Sequence, residues 1–191
     1  ECHPEIRSVE ACYKSSKYAS DLSKITGARL NIFHISTQKE LDLFENKLPV
    51  EQKKLTAEVC AHHLWFTDKD YKKLGSKIKW NPAIKSQSDK DALWNAIKED
   101  KIDIIASDHA PHTEIEKENS YFNCPSGGPM VQHTILSLLE ESPKYGVSVE
   151  KIVEKIAHNP SKIFKIKKRG FIKEGYYADI VLVDPNSPTL V

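Results

Sequence analysis

The sequence lacks the features that mark secreted, membrane-spanning and nucleic-acid-binding proteins. Its four cysteines are scattered without CxxC spacing, which argues against both a structural zinc knot and a disulfide framework. No apolar run approaches the roughly 20 residues that span a bilayer. Lys plus Arg (28) nearly balances Asp plus Glu (27), so the overall charge does not call for a nucleic acid. We therefore expect a cytoplasmic protein with neither a membrane nor a nucleic acid as partner.

What remains is an ordinary globular composition. The chain has 191 residues, of which 39% are hydrophobic and 29% charged, so it is long enough to bury one core. It begins with Glu1 where a natural start would be Met, and we therefore expect a fragment that lacks its N-terminal part.

Helical and strand-like segments alternate three times along the chain. Amphipathic stretches at about 5–26, at 38–46 and after the N-cap candidate Ser88 each precede a strand-like segment. Those segments lie in ARLNIFHIS, KLTAEVCAHHLWF and IDIIASDHAPH. This order predicts an α/β fold with a parallel sheet and helices packed outside it.

The sequence pattern changes near the C-terminus. Ser148 is a candidate N-cap of a last well-signalled helix, after which Gly170 and Gly175 punctuate short β-rich pieces. The sequence thus predicts an α/β part over 1–164 and a small β segment over 165–191.

Polar, titratable side chains follow two of the predicted strands. Asp108, His109 and His112 come directly after the apolar run 102–106, and His34 closes the run 30–33. Active sites of parallel α/β folds lie at this edge, and imidazole and carboxylate are the ligands of a hydrolytic zinc ion. The alternatives are a turn in which Asp108 accepts from backbone amides and a hydrogen-bonded core role for His34.

The other histidines give weaker signals. We expect His62 and His63 to end the middle strand and to point to opposite faces, so that at most one faces a site. A surface or core role is the expectation for His3, His133 and His158.

Several segments together carry a family resemblance. They occur in the order NIFHIST, EVCAHHLWF, KWNPAIK, ASDHAPH, PSGGP, HNPSKIFKI and GFIKEGYYADIVLVDP. This ordered set resembles the dihydroorotase family, in particular its longer-chain type. The resemblance implies the C-terminal part of a TIM-type (β/α)8 barrel, about strands six to eight, followed by a segment of a small β-sandwich.

The resemblance also implies roles for individual residues around a binuclear Zn²⁺ site. His34 matches a metal ligand, and Asp108 matches an aspartate that contacts zinc and moves protons to the substrate nitrogen. Four positions match residues that hold the substrate carboxylate and ring: Asn81, His112, Gly127 and Gly128. The implied reaction is the reversible cyclisation of N-carbamoyl-L-aspartate to dihydroorotate in pyrimidine biosynthesis.

The chain departs from the family in lacking any HxH pair and the ligands of strands four and five. We therefore expect the isolated chain to be inactive. Two alternatives stay open, a hydantoinase or dihydropyrimidinase and a non-catalytic scaffold that associates with aspartate transcarbamoylase. A homo-oligomer is expected in either enzyme reading.

Overall fold

Three parallel strands form the centre of the fold. The computed structural model describes residues 3–184 and 187, and within them the sheet has the order β1-β2-β3. The strands are β1 (Leu30–Ile32), β2 (Leu55–Cys60) and β3 (Ile104–Ala106). Leu30 pairs with Leu55 and Val59 with Ile105. The predicted parallel α/β architecture is confirmed.

Most helices that connect and cover these strands are short. The α-helices are α1 (His3–Ile6), α2 (Val9–Thr26), α3 (Ala61–Trp65), α4 (Tyr71–Leu74), α5 (Gln87–Lys98), α6 (Glu114–Lys117), α7 (Thr134–Glu141), α8 (Val149–Val153) and α9 (Asn159–Ile163). Short 3₁₀ segments occupy Gln38–Leu43, Asp68–Asp70, Gly75–Ile78 and Ser142–Tyr145, and a π-helical turn spans Glu154–His158.

Helix α2 ends where its sequence predicts, but it begins at Val9 instead of near residue 5, and it buries a different face. Ser8 accepts a hydrogen bond from the Ala11 amide, and Gly27 ends the helix at φ 71°. The buried residues of α2 are serines, and Ser16 Oγ donates to Glu40 Oε1 at 2.6 Å. Ile25 is 81% exposed, so the predicted apolar stripe does not face the core.

Helix α5 anchors the core between the sheet and the later helices. Trp94 is fully buried, donates from Nε1 to the Leu64 carbonyl at 3.1 Å and stacks on Tyr145. The N-cap is Ser86, whereas the sequence predicted Ser88. Ser86 is the N-cap because its hydroxyl accepts from the Asp89 amide while the Asp89 carboxylate accepts from the Ser86 amide, which forms a capping box.

The predicted β-rich tail contains no strand between residues 165 and 184. Arg169 pairs with Asp179, and Leu182 is 96% exposed. The apolar residues of this segment pair with no strand among the described residues, so residues 165–184 form turns and irregular backbone. Residues 185, 186 and 188–191 lie outside the described part, and the division at 164/165 stays a prediction.

None of the described helices is both long and apolar enough to cross a membrane.

Candidate active site

His34 and Asp108 occupy equivalent positions, two residues beyond the ends of β1 and β3. Each has φ 45°, the left-handed region that residues other than glycine rarely adopt. Such strain costs of order 1–3 kcal/mol per residue and clusters at functional sites. Both side chains are half-buried, and no hydrogen bond in the described chain uses the Asp108 carboxylate. The described residues thus show no bond of the kind that the alternative of a capped turn requires.

Glu58 on the middle strand was missed by the sequence reasoning. Its pKa is raised to about 7, chiefly because burial disfavours the charged carboxylate and further because Asp108 is close. The signal in the sequence was an acidic residue inside the otherwise apolar β2. Glu58 and Asp108 thus form a pair of carboxyl groups at the C-terminal edge of the sheet.

An open groove of about 500 Å³ brings two of the predicted site residues together. Its lining includes His34 and Asn81, together with Asn31, Phe33 and residues of α2. Asn81 is exposed, and its Nδ2 donates to Ser126 Oγ at 3.0 Å. The predicted metal ligand and one predicted substrate contact therefore share a surface.

The Gly127–Gly128 loop is tied to the segment that follows Asp108. The Ala110 amide donates to the Gly128 carbonyl at 3.1 Å, and the Gly127 amide donates to the Lys79 carbonyl at 2.9 Å. A Cβ on Gly127 would lie 2.6 Å from the Ala110 carbonyl oxygen, and one on Gly128 would overlap the Trp80 ring. Packing within the chain therefore requires both glycines, and their contact with substrate stays a prediction.

A buried lysine holds this loop in place. Lys117 Nζ donates to the carbonyls of Lys79, Pro125 and Gly127 at 3.2, 3.0 and 2.9 Å. Burial lowers its pKa. One ammonium group therefore links the Gly127–Gly128 loop to the segment that contains Lys79.

His112 and His109 lie on the short segment between β3 and α6. His112 is half-buried, with Nδ1 4.0 Å from Glu116 Oε2. His109 is exposed and accepts from the Val131 amide at 3.2 Å. His109 therefore helps to fix the loop, and the substrate role of His112 stays a prediction.

His62 and His63 lie on a helix, contrary to the prediction that they end the middle strand. β2 stops at Cys60 and the chain enters α3, which turns both rings inward. His62 is fully buried and stacks on Trp80 at 4.4 Å, and His63 Nε2 donates to the Pro82 carbonyl at 3.1 Å. The expectation of opposite faces was wrong because it assumed an extended backbone.

Burial keeps both imidazoles neutral. It lowers the pKa of His63 to about 3, and it lowers that of His62 well below its usual value, with His63 and His34 adding to the effect. The Ser107 backbone lies near the His62 ring and acts in the opposite direction, raising the His62 pKa. It does not form a hydrogen bond of normal geometry with either ring nitrogen. His3 is also buried, between the Tyr121 hydroxyl and the Trp80 carbonyl, as expected of a core histidine.

Comparisons with known proteins show the family to which this sequence is related. The model of the family described as "Amidohydrolase family" matches residues 32–190. A dihydroorotase of Endomicrobium trichonymphae is 39% identical over 165 residues, which are 85% of this chain and 39% of that protein. An allantoinase of Bacillus velezensis is 31% identical over 98% of this chain and 40% of its own.

A solved structure shows the same fold. The dihydropyrimidinase from Brevibacillus agri superposes with a TM-score of 0.82 at 22% identity, over 92% of this chain and 40% of its own. The chain spans about two fifths of the length of the relatives it matches. The family match covers most of the sequence, and the chain belongs to the amidohydrolase family.

Proposed function

We propose that the chain is the C-terminal portion of a dihydroorotase, with β1, β2 and β3 as barrel strands six, seven and eight. The observation that carries the proposal is the pair His34 and Asp108, held in strained backbone at the C-terminal ends of two strands of one parallel sheet. Similarity to dihydroorotases over 85% of the chain supports the choice of substrate.

The donor set suits zinc. The amidohydrolase family is generally metal-dependent, and an imidazole nitrogen and a carboxylate oxygen at one sheet edge are typical ligands of a hydrolytic zinc site. His34 and Asp108 would supply part of the ligand set, and the rest would come from the portion of the relatives that this chain does not span. When bound, zinc lowers the pKa of a bound water toward 7 and polarises the amide carbonyl.

Asp108 would move the proton. Its half-buried carboxylate forms no hydrogen bond in the described chain, so it is free to accept a proton and to donate it to the ring nitrogen that leaves. Two close carboxyl groups do not ionise together readily, and burial makes Glu58 the one that holds a proton near neutrality.

The remaining predicted residues would hold the substrate, dihydroorotate or N-carbamoyl-L-aspartate. Asn81 shares the groove with His34, and His112 follows Asp108 on the same segment. The Gly127–Gly128 loop reaches the same region through Ala110. Homo-oligomer formation and association with aspartate transcarbamoylase remain part of this proposal.

Allantoin is the second candidate substrate, because the allantoinase relative matches 98% of the chain. The complete protein that contains this chain should be assayed with dihydroorotate, allantoin and dihydrouracil. We expect kcat/KM to be highest for dihydroorotate. A preference for allantoin or dihydrouracil would replace the substrate but keep the mechanism, and no turnover of any of them would favour the scaffold.

Asp108→Asn in the complete protein tests the proton transfer. We expect kcat to fall by about 10²–10⁴-fold, the usual contribution of a general acid or base. Asp42→Asn, a matched change at an exposed position away from this edge, should leave kcat unchanged. Equal activity of Asp108→Asn and the unchanged protein would contradict the assignment.

A further inference from the structure

Three unpaired ligand atoms meet in the interior beside the candidate active site. Cys60 ends β2, and His62 and His63 follow it on the first turn of α3. One ligand atom from each lies within 4.8 Å of the other two, and all three residues are buried. None of the three is a residue to which the dihydroorotase resemblance gives a role.

The hydrogen bonding around these residues leaves lone pairs without partners. His63 Nε2 donates to the Pro82 carbonyl, which fixes the tautomer and turns the lone pair of Nδ1 inward. His63 Nδ1 and both ring nitrogens of His62 have no hydrogen-bond partner in the described chain, and no hydrogen bond is found there for the Cys60 thiol. Buried polar atoms without partners are rare in folded proteins, so this concentration calls for an explanation.

We infer that Cys60, His62 and His63 bind a zinc ion of their own, with a set of ligands that includes neither His34 nor Asp108. Thiolate sulfur and imidazole nitrogen are the ligand types that zinc sites use, and a backbone carbonyl is a usual acceptor for the outer nitrogen of a ligating histidine. Binding replaces the thiol proton of Cys60 by the metal and releases that proton to solvent.

The geometry requires only a small adjustment. Zinc bonds of about 2.3 Å to sulfur and about 2.0 Å to nitrogen place tetrahedral ligand atoms roughly 3.3–3.6 Å apart. The present separations of up to 4.8 Å therefore need to close by at most about 1.5 Å. Trp80 stacks on the face of the His62 ring and leaves its edge, where the nitrogens lie, free for coordination.

Cobalt substitution separates this site from the candidate catalytic one. The complete protein is stripped of metal and titrated with Co²⁺, and the near-ultraviolet charge-transfer band from thiolate to cobalt is recorded. His34 and Asp108 offer no sulfur, so metal bound by them cannot produce that band. We expect the band to appear, to vanish in Cys60→Ala and to persist in Cys124→Ala, a matched change at another buried cysteine.

A second variant keeps the test decisive if Cys60→Ala fails to fold. Every cysteine except Cys60 is replaced by serine, and the band must remain. His62→Gln in that background should weaken Co²⁺ binding about tenfold or more, since even outer-shell changes cost 10–100-fold. Absence of the band in the unchanged protein, or its loss when only Cys60 remains, would overturn the inference and leave the three residues as packed core.

Discussion

Glu58 makes the stability of the metal-free protein depend on pH. Its folded-state pKa of about 7 lies above its ordinary value of 4.5, so the folded state binds the proton more tightly than the unfolded chain. The resulting stabilisation is complete below about pH 4.5 and is lost as the pH rises through 7. Because the side chain is only partly buried, we expect a loss of about 1–2 kcal/mol.

Glu58→Gln tests this assignment at the residue scale. The variant cannot ionise, so its free energy of unfolding should change less between pH 4.5 and 8 than that of the unchanged protein, and it should be the more stable of the two at pH 8. Chemical denaturation in the presence of a chelator measures both. Parallel pH profiles for the two proteins would show that Glu58 is charged throughout.

The capping of α5 provides a test at the element scale. Ser86→Ala removes the hydroxyl that accepts from the Asp89 amide, and we expect it to cost about 1 kcal/mol of unfolding free energy. Ser88→Ala lies within the first turn and loses only an exposed hydroxyl contact with Ser86 Oγ, so it should cost less than about 0.5 kcal/mol. The reverse order in thermal or chemical denaturation would restore the N-cap predicted from the sequence.

The loop before Gly128 depends on Lys117. Lys117→Met keeps the aliphatic stem but removes the ammonium donor from three carbonyls, of which only that of Lys79 keeps a backbone donor, the Gly127 amide. We therefore expect a loss of about 2–3 kcal/mol. Hydrogen exchange at the Gly127 amide should become faster in this variant. Lys77→Met removes only an exposed ion pair with Glu114 and should leave both quantities nearly unchanged. Unaltered exchange in Lys117→Met would show that other contacts hold the loop.

Elements with strong local signals were predictable, and elements defined by distant contacts were not. Ser8 and Gly27 bound α2, and Thr67 with Asp70 forms a capping box, because these bonds lie within a few residues. The face that α2 buries includes Ser16, whose hydroxyl donates to the carboxylate of Glu40, a residue 24 positions away in the sequence. That information is not local to the helix.

The same distinction explains the site. His34 and Asp108 could be placed at strand ends from the apolar runs before them, and the structure agrees. The turn into α3 could not be predicted, because KLTAEVCAHHLWF has the composition of one continuous strand. Where the strand stops depends on the packing of His62 against Trp80, which is distant in sequence.

At the scale of the whole molecule, the sheet has two edges within the described residues. β1 and β3 each pair on one side only, with β2. Unpaired strand edges favour association with further strands, and in a closed barrel such edges do not exist. The unpaired edges of β1 and β3 are consistent with a chain that spans about two fifths of its relatives' length.

The most direct test compares zinc content and dihydroorotate turnover of the complete protein with those of residues 1–191, at equal concentration and with added zinc. The account predicts that the complete protein binds zinc and turns over dihydroorotate, and that His34→Ala removes both the turnover and part of the zinc. It also predicts no turnover by residues 1–191 alone. A complete protein that neither retains zinc nor acts on dihydroorotate would contradict the assignment of His34 and Asp108.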